Sequence, residues 1–122
     1  MNREQFEELV NRAVKSLPEE FLNRLENVDV IVEDFATVSQ LRKSRLKSNQ
    51  TLLGLYEGVP RTKRSSSYSM VLPDRITIFQ RPIEAMCRTE NEIITEIGRV
   101  VKHEIAHYFG ISDTRLREIG RY

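Results

Sequence analysis

The segment from His103 to Asp113 constrains the fold more than any other part of the chain. It reads His-Glu-Ile-Ala-His-Tyr-Phe-Gly-Ile-Ser-Asp and contains both histidines of the protein. His103 and His107 are four residues apart, so on an α-helix their side chains project from one face, one turn apart. A helix that presents two imidazoles in this way needs a packed support behind it and one open side. The segment therefore predicts a rigid helix where the core meets a cleft.

The arrangement from His103 to His107 is the H-E-x-x-H pattern of zinc metallopeptidases. Two imidazoles at this spacing can both bind one Zn²⁺ ion. Glu104 is rotated about 100° around the helix from His103, so its carboxylate flanks the metal and can take a proton from metal-bound water. One histidine on such a helix is usually a packed or surface residue, but packing explains two at ligand spacing poorly. The pattern favours a catalytic zinc site.

A catalytic zinc ion usually has three protein ligands and a water, so a third ligand is required. Gly110 suits the end of the helix, where a positive φ is needed, and it turns the chain so that Asp113 can swing back toward the metal. Metzincins have a histidine at this place, and an aspartate oxygen is an acceptable zinc donor. Two alternatives stay open. Ser112 or Asp113 caps a last helix over residues 114–119, or Glu118, about a turn farther along, is the ligand.

The run from Val101 to Gly120 resembles the minimal zincin family of small bacterial zinc-dependent metallopeptidases. Upstream segments resemble the same family in the same order, so that the likeness runs from about residue 17 to the C-terminus: Leu17-Pro-Glu-Glu-Phe21, Asn27–Asp34, Leu53–Pro60 and Leu72–Glu84. One departure is Arg61–Ser69, which is more basic and richer in serine than the family's loop. This departure affects expectations about the rim of the cleft and not about the metal site.

The resemblance implies one zinc ion bound by His103, His107 and Asp113, with Glu104 as the catalytic base. It also implies a compact α+β zincin core and a peptidase that acts on a peptide or protein substrate. The alternative is a zinc-binding protein-interaction module with little or no peptidase activity. The intact Glu104 argues against that alternative, because a structural site has no use for a base and usually closes its fourth coordination position.

Composition sets the broad class of protein. A chain of 122 residues with 39% hydrophobic and 30% charged residues is typical of a single globular domain, which we expect over residues 1–122. A net charge of +1 argues against nucleic-acid or anionic-membrane partners. The basic segments 42–47 and 61–64 lack the interleaved aromatic residues of a nucleic-acid stacking surface. They could form a basic rim of the cleft, although solvated loops are the simpler interpretation.

Three features concern the compartment. No apolar run approaches the 18 or so residues of a membrane span, and the charged N-terminus is unlike a signal peptide. The lone Cys87 excludes an internal disulfide, and we interpret it as a small packed hydrophobe rather than a metal ligand. We therefore expect a cytoplasmic protein with no membrane partner, and the chain is compatible with a monomer.

Apolar spacing predicts the order α-α-β-β-β-α-α, which indicates an α+β fold with a small mixed or antiparallel sheet covered mainly on one face. Helices are expected over 3–16 and from Pro18, strands over 28–33, 52–57 and 75–80, and short helical turns within 38–50 and 82–86. The main helix should begin at a capping box of Thr89 and Glu92. Its buried face should contain the following residues: Ile94, Ile97, Val101, Ile105 and Tyr108.

We expect a substrate to add as a strand to an exposed sheet edge, either at 52–57 or at 75–80. A tyrosine hydroxyl could assist the oxyanion, and Tyr56, Tyr68 and Tyr122 are the candidates, although each is more simply a packing or surface residue.

Overall fold

The computed structural model describes residues 1–44, 51–59 and 72–119, except for the side chains of Asp113, Leu116 and Ile119. Its elements follow the predicted order, and the short turns predicted near 38–50 and 82–86 are the helices α3 and α4. The elements are α1 (Arg3–Lys15), α2 (Glu19–Arg24), β1 (Val28–Glu33), α3 (Val38–Ser44), β2 (Gly54–Glu57), β3 (Asp74–Phe79), α4 (Gln80–Met86), α5 (Glu90–Phe109) and α6 (Asp113–Ile119). No helix in the described ranges is long and apolar enough to cross a membrane.

The three described strands form one mixed sheet in the order β1-β3-β2, which confirms the predicted α+β class. β1 runs parallel to β3, and β2 runs antiparallel to it. β3 is therefore the central strand. Of the two strands considered for substrate addition, only β2 has a side that pairs with no other described strand.

One face of the sheet packs against α5, which in turn packs against α1, and the three together form the main core. This core is large, because both helices contribute a stripe of apolar side chains at helical spacing. Its fully buried members include Phe6, Phe21, Ile76, Ile78, Ile83, Ile97, Val101 and Ile105. The other face has only a small cluster of Leu52, Leu55 and Phe79. Within the described residues the sheet is thus covered mainly on one face, as expected.

Two predictions about the main helix need correction. The Thr89 hydroxyl oxygen accepts the N–H of Glu92 at 3.1 Å as predicted, but the Glu92 carboxylate accepts the N–H of Arg88 at 2.6 Å and so does not complete a reciprocal capping box with Thr89. Ile94 is only partly buried, and Tyr108 is 49% exposed. The buried stripe is instead completed by Ile93 and Val100. The reason is that α5 packs between α1 and the sheet, and its last turn extends toward the cleft.

Candidate active site

The end of α5 carries the paired histidines on one face, as their spacing predicts. The ring centroids of His103 and His107 are 4.8 Å apart, with a tilt of 34° between the ring planes. His103 is partly buried and His107 is exposed. Behind them Val101 and Ile105 have no exposed surface. The helix therefore has the packed support and open side that two metal ligands require.

Glu104 lies between the histidines in sequence and is bound by the edge strand. Its Oε1 atom accepts the backbone N–H of Tyr56 at 3.1 Å. Burial raises the pKa of the Glu104 carboxyl above its ordinary value, although the Tyr56 N–H and the nearby His107 oppose this shift. The carboxylate is thus held in place by a main-chain donor and partly withdrawn from water.

A cleft of about 250 Å³ opens between α5, β2 and the end of α3. Its lining is partly apolar and includes both histidines and Glu104. The lining residues are Lys43, Ser44, Leu52, Leu55, Tyr56, His103, Glu104, His107 and Tyr108. A second cleft of about 180 Å³ continues on the Gly54 side and shares Leu52, His103 and Glu104 with the first. The two clefts together follow β2 and extend to both sides of the Glu104 carboxylate.

The tyrosines of the cleft differ from the sequence-based expectation. The Tyr56 hydroxyl donates to Asp74 Oδ2 at 2.7 Å, so the contact of Tyr56 with Glu104 comes from its main chain and not from its hydroxyl. Its ring stacks on Tyr108 with the centroids 4.0 Å apart. Tyr68 and Tyr122 lie outside the described residues. Tyr108 was not predicted to line the cleft, although its position four residues after Glu104 indicates the same face of the helix.

Gly110 ends α5 as predicted, with φ 69° and ψ 32° in the left-handed region. The turn is closed by the N–H of Ile111, which donates to the Ala106 carbonyl oxygen at 2.8 Å. The Ser112 hydroxyl oxygen then accepts the N–H of Arg115 at 3.1 Å, and α6 begins at Asp113. Ser112 therefore makes the capping contact that sequence analysis divided between Ser112 and Asp113.

Helix α6 is attached to α2 by an ion pair. Arg115 contacts Glu20 at 2.8 Å and Glu118, the alternative third ligand, at 3.3 Å. The guanidinium of Arg24 in α2 also lies over the Phe109 ring, 4.6 Å from its centroid. α2 thus contacts the chain on both sides of the Gly110 turn.

The two imidazoles fit a zinc ion. Nitrogens bound to one Zn²⁺ lie within about 4.2 Å of each other, since each bond is about 2.0–2.1 Å, and rings 4.8 Å apart can reach a common ion. Among the described side chains no set of three histidine, cysteine, aspartate or glutamate residues could hold a metal. The side chain of Asp113 lies outside that description, so its role as third ligand stays a prediction.

Helix α3 forms the opposite wall of the cleft and is bound to β2 through one carboxylate. Glu57 accepts hydrogen bonds from Lys43 at 2.8 Å and from Gln40 at 3.2 Å. Burial works to raise the pKa of Glu57, but the two hydrogen bonds together with the positive charges of Lys43 and Arg75 outweigh it and lower the pKa. Of the other basic residues of the predicted rim, Arg42 is an exposed residue of α3, and the following lie outside the described residues: Arg45, Lys47, Arg61, Lys63 and Arg64.

Comparisons with known proteins concern the fold and the family of the chain. A conserved hypothetical protein from Thermo thermophilus has a similar structure, with a TM-score of 0.55 and 20% sequence identity over 89% of this chain and 94% of that one. At this identity the likeness shows the fold alone. No curated protein matches the chain. The family model for zincin-like metallopeptidases matches residues 25–121. The chain therefore belongs to the zincin-like metallopeptidase family.

Proposed function

We propose that the protein is a zinc-dependent peptidase in which His103, His107 and Asp113 bind one zinc ion and Glu104 is the general base. Membership of the family implies a zinc cofactor and a peptide or protein substrate. The observation that carries the proposal is the position of Glu104, which follows the first of two paired imidazoles and lies between two connected clefts. A purely structural zinc site has no need of a carboxylate there.

The roles of the protein groups follow from their contacts. When bound, zinc supplies a Lewis acid that polarises the scissile carbonyl and lowers the pKa of water from about 15.7 toward about 7. Glu104 takes the proton of the attacking water and returns it to the leaving nitrogen. The Tyr56 N–H holds the carboxylate at the cleft. Burial raises the pKa of Glu104 toward neutral pH. A pKa nearer the working pH suits a group that must both accept and return a proton.

The substrate path is the edge of β2. An extended peptide gains main-chain hydrogen bonds when it adds to a sheet edge, and β2 is the edge strand beside Glu104. Because the clefts extend to both sides of Glu104, we infer that the enzyme holds residues on both sides of the scissile bond.

Metal binding is the first test. Metal-stripped protein is titrated with zinc, and the bound metal is counted by mass spectrometry. We expect one zinc ion per chain in wild-type protein, loss of that ion in His103→Ala, and weaker binding in Asp113→Asn. Cys87→Ala is the control, since Cys87 is a partly buried residue packed on the core, and it should bind zinc normally. Unchanged affinity in Asp113→Asn would exclude Asp113 as the third ligand.

Cleavage of a peptide library is the second test. We expect Glu104→Gln to lower the rate by about 10²–10⁴-fold, the usual contribution of a general base. Glu90→Gln is the matched control, because Glu90 is exposed on the same helix about 21 Å away along the axis at 1.5 Å per residue. A Glu104→Gln variant as active as wild type would remove the mechanism. Zinc binding without any hydrolysis in wild type would instead support the protein-interaction alternative.

A further inference from the structure

The edge strand and the active-site helix touch at three places in regular succession. The chain from Gly54 to Gly58 and the helix from Val100 to Tyr108 run in the same direction, as the order of the contacts shows. The paired residues are Gly54 with Val100, Tyr56 with Glu104, and Gly58 with Tyr108. Alternate residues of the strand therefore meet every fourth residue of the helix.

This pairing has a simple geometric basis. Two residues of a strand advance about 6.6 Å, and four residues of a helix advance about 6.0 Å. The two repeats nearly match over three contacts, so one face of the strand can follow one stripe of the helix. The middle contact is the hydrogen bond from the Tyr56 N–H to Glu104.

The contact at Gly54 needs a residue without a side chain. A Cβ atom at Gly54 would lie 2.5 Å from Val100 Cγ1 and 3.2 Å from the Thr77 carbonyl oxygen. Val100 is buried and β-branched, so it has little freedom to move aside. A Cβ atom at Gly58 would meet only the outer end of the Tyr108 side chain, which is 49% exposed and can move aside. A larger residue at Gly54 therefore has to displace Val100 or separate the strand from the helix, whereas one at Gly58 does not.

Gly98 shows that the tight fit belongs to these contacts and not to every glycine in the region. It lies in α5, two residues before Val100, and the nearest atom to a Cβ built there is Leu17 Cδ2 at 4.0 Å. An alanine at Gly98 therefore meets ordinary van der Waals contact.

We propose that Gly54 is a positioning residue for the general base: its missing side chain lets β2 approach α5 closely enough for the Tyr56 N–H to hold the Glu104 carboxylate. The close approach of β2 to α5 does not depend on whether the protein cleaves peptides. Only the effect of this approach on catalysis rests on the proposed peptidase function.

Hydrogen exchange of the Tyr56 amide in metal-free protein tests the packing relation directly. Overpacking usually costs about 1–3 kcal/mol, which corresponds to roughly a 5- to 150-fold change in a local opening equilibrium. We expect Gly54→Ala to accelerate exchange at Tyr56 by that factor and to leave Ile78, in the central strand, less affected. Glu104→Ala, which removes the acceptor but leaves the strand packing intact, should accelerate Tyr56 in the same way.

Two further variants make the result specific. Val100→Ala added to Gly54→Ala removes the colliding methyl group and should restore slow exchange at Tyr56. Gly98→Ala should leave Tyr56 unchanged. Normal exchange at Tyr56 in Gly54→Ala, or no recovery in the double variant, would overturn the proposal. If Gly54→Ala does not fold, recovery of folding by Val100→Ala supports the collision, and normal Tyr56 exchange in Glu104→Ala overturns the role of the contact.

The kinetic consequence is tested separately. We expect kcat to fall in Gly54→Ala by more than KM changes, because a displaced base affects the chemical step. If wild-type protein cleaves no peptide, the proposed function fails while the exchange result stands. If it does cleave and kcat is unchanged in Gly54→Ala, the positioning role is wrong and the proposed function stands.

Discussion

The two ends of α5 belong to one continuous helix and both bury one face, but they differ in the side chains that they expose. In the first part Ile93, Ile97 and Val101 are buried against α1 and the sheet. In the last turns His107, Tyr108 and Phe109 are exposed. The comparison teaches that one helix can be anchored at one end and present reactive groups at the other. The packed end should control stability and the open end should control metal binding.

The largest effect on stability is expected at the packed end. Ile97→Ala removes a fully buried side chain and should lower the free energy of unfolding by about 2–5 kcal/mol, measured by urea denaturation of metal-free protein. Leu41→Ala is the matched control on α3, where the side chain is 42% exposed, and it should change stability by no more than about 0.5 kcal/mol. Equal effects in the two variants would contradict the comparison.

The open end should give the reverse result. His107→Ala removes an exposed ring, so the free energy of unfolding without metal should stay within about 0.5 kcal/mol of wild type. Zinc affinity, measured by competition with a chelator, should fall by more than the roughly 10–100-fold typical of losing a residue that only supports a ligand. Wild-type affinity in this variant would show that the histidine pair does not bind the metal.

A smaller and opposite change is expected at Gly98. Alanine has a higher helix propensity, and the site has room for a methyl group, so Gly98→Ala should raise the free energy of unfolding by roughly 0.5–1 kcal/mol. Thermal denaturation would show this gain, with zinc affinity unchanged. A loss of stability would mean that the packed end of α5 needs this glycine for a reason other than space.

The smallest effect concerns the facing wall of the cleft. The lowered pKa of Glu57 stabilises the fold above the unfolded glutamate value of about 4.3, and this contribution is lost as the pH falls through the lower, folded value. Because Lys43 is 59% exposed, the contact is expected to contribute only about 0.2–1 kcal/mol. The stabilities of wild type and Glu57→Gln should therefore differ at pH 6 and converge in acid. Glu33→Gln, which changes an exposed residue of β1, should show no such convergence.

Local signals in the sequence predicted the active-site helix well. Thr89 and Gly110 mark its two ends because each suits one local backbone requirement, a side-chain acceptor at the start and a positive φ at the end. The histidine pair follows from helical spacing alone. These features depend on residues within one or two turns of each other, so no knowledge of distant contacts is needed.

Long-range relations were not predictable in the same way. The buried face of α5 was placed too far toward Tyr108, because apolar spacing does not show which neighbouring helix covers which turn. The identity of the edge strand was left open, since strand order depends on pairing between distant segments. The main-chain contact of Tyr56 with Glu104 joins residues 48 positions apart. Every residue except proline has a backbone N–H, so the sequence does not indicate which one will bind the carboxylate.

The sequence by itself determined the chemistry that this protein can offer: two imidazoles and a carboxylate on one helix, and a glycine turn that leads to an aspartate. Side-chain identity and helical periodicity are sufficient for that, because both are local properties. Only the tertiary structure determined the surroundings of these side chains. The approach of β2 to α5, the clefts on both sides of Glu104 and the exposure of His107 all result from how distant segments pack, which is set by shape and burial and not by any short pattern.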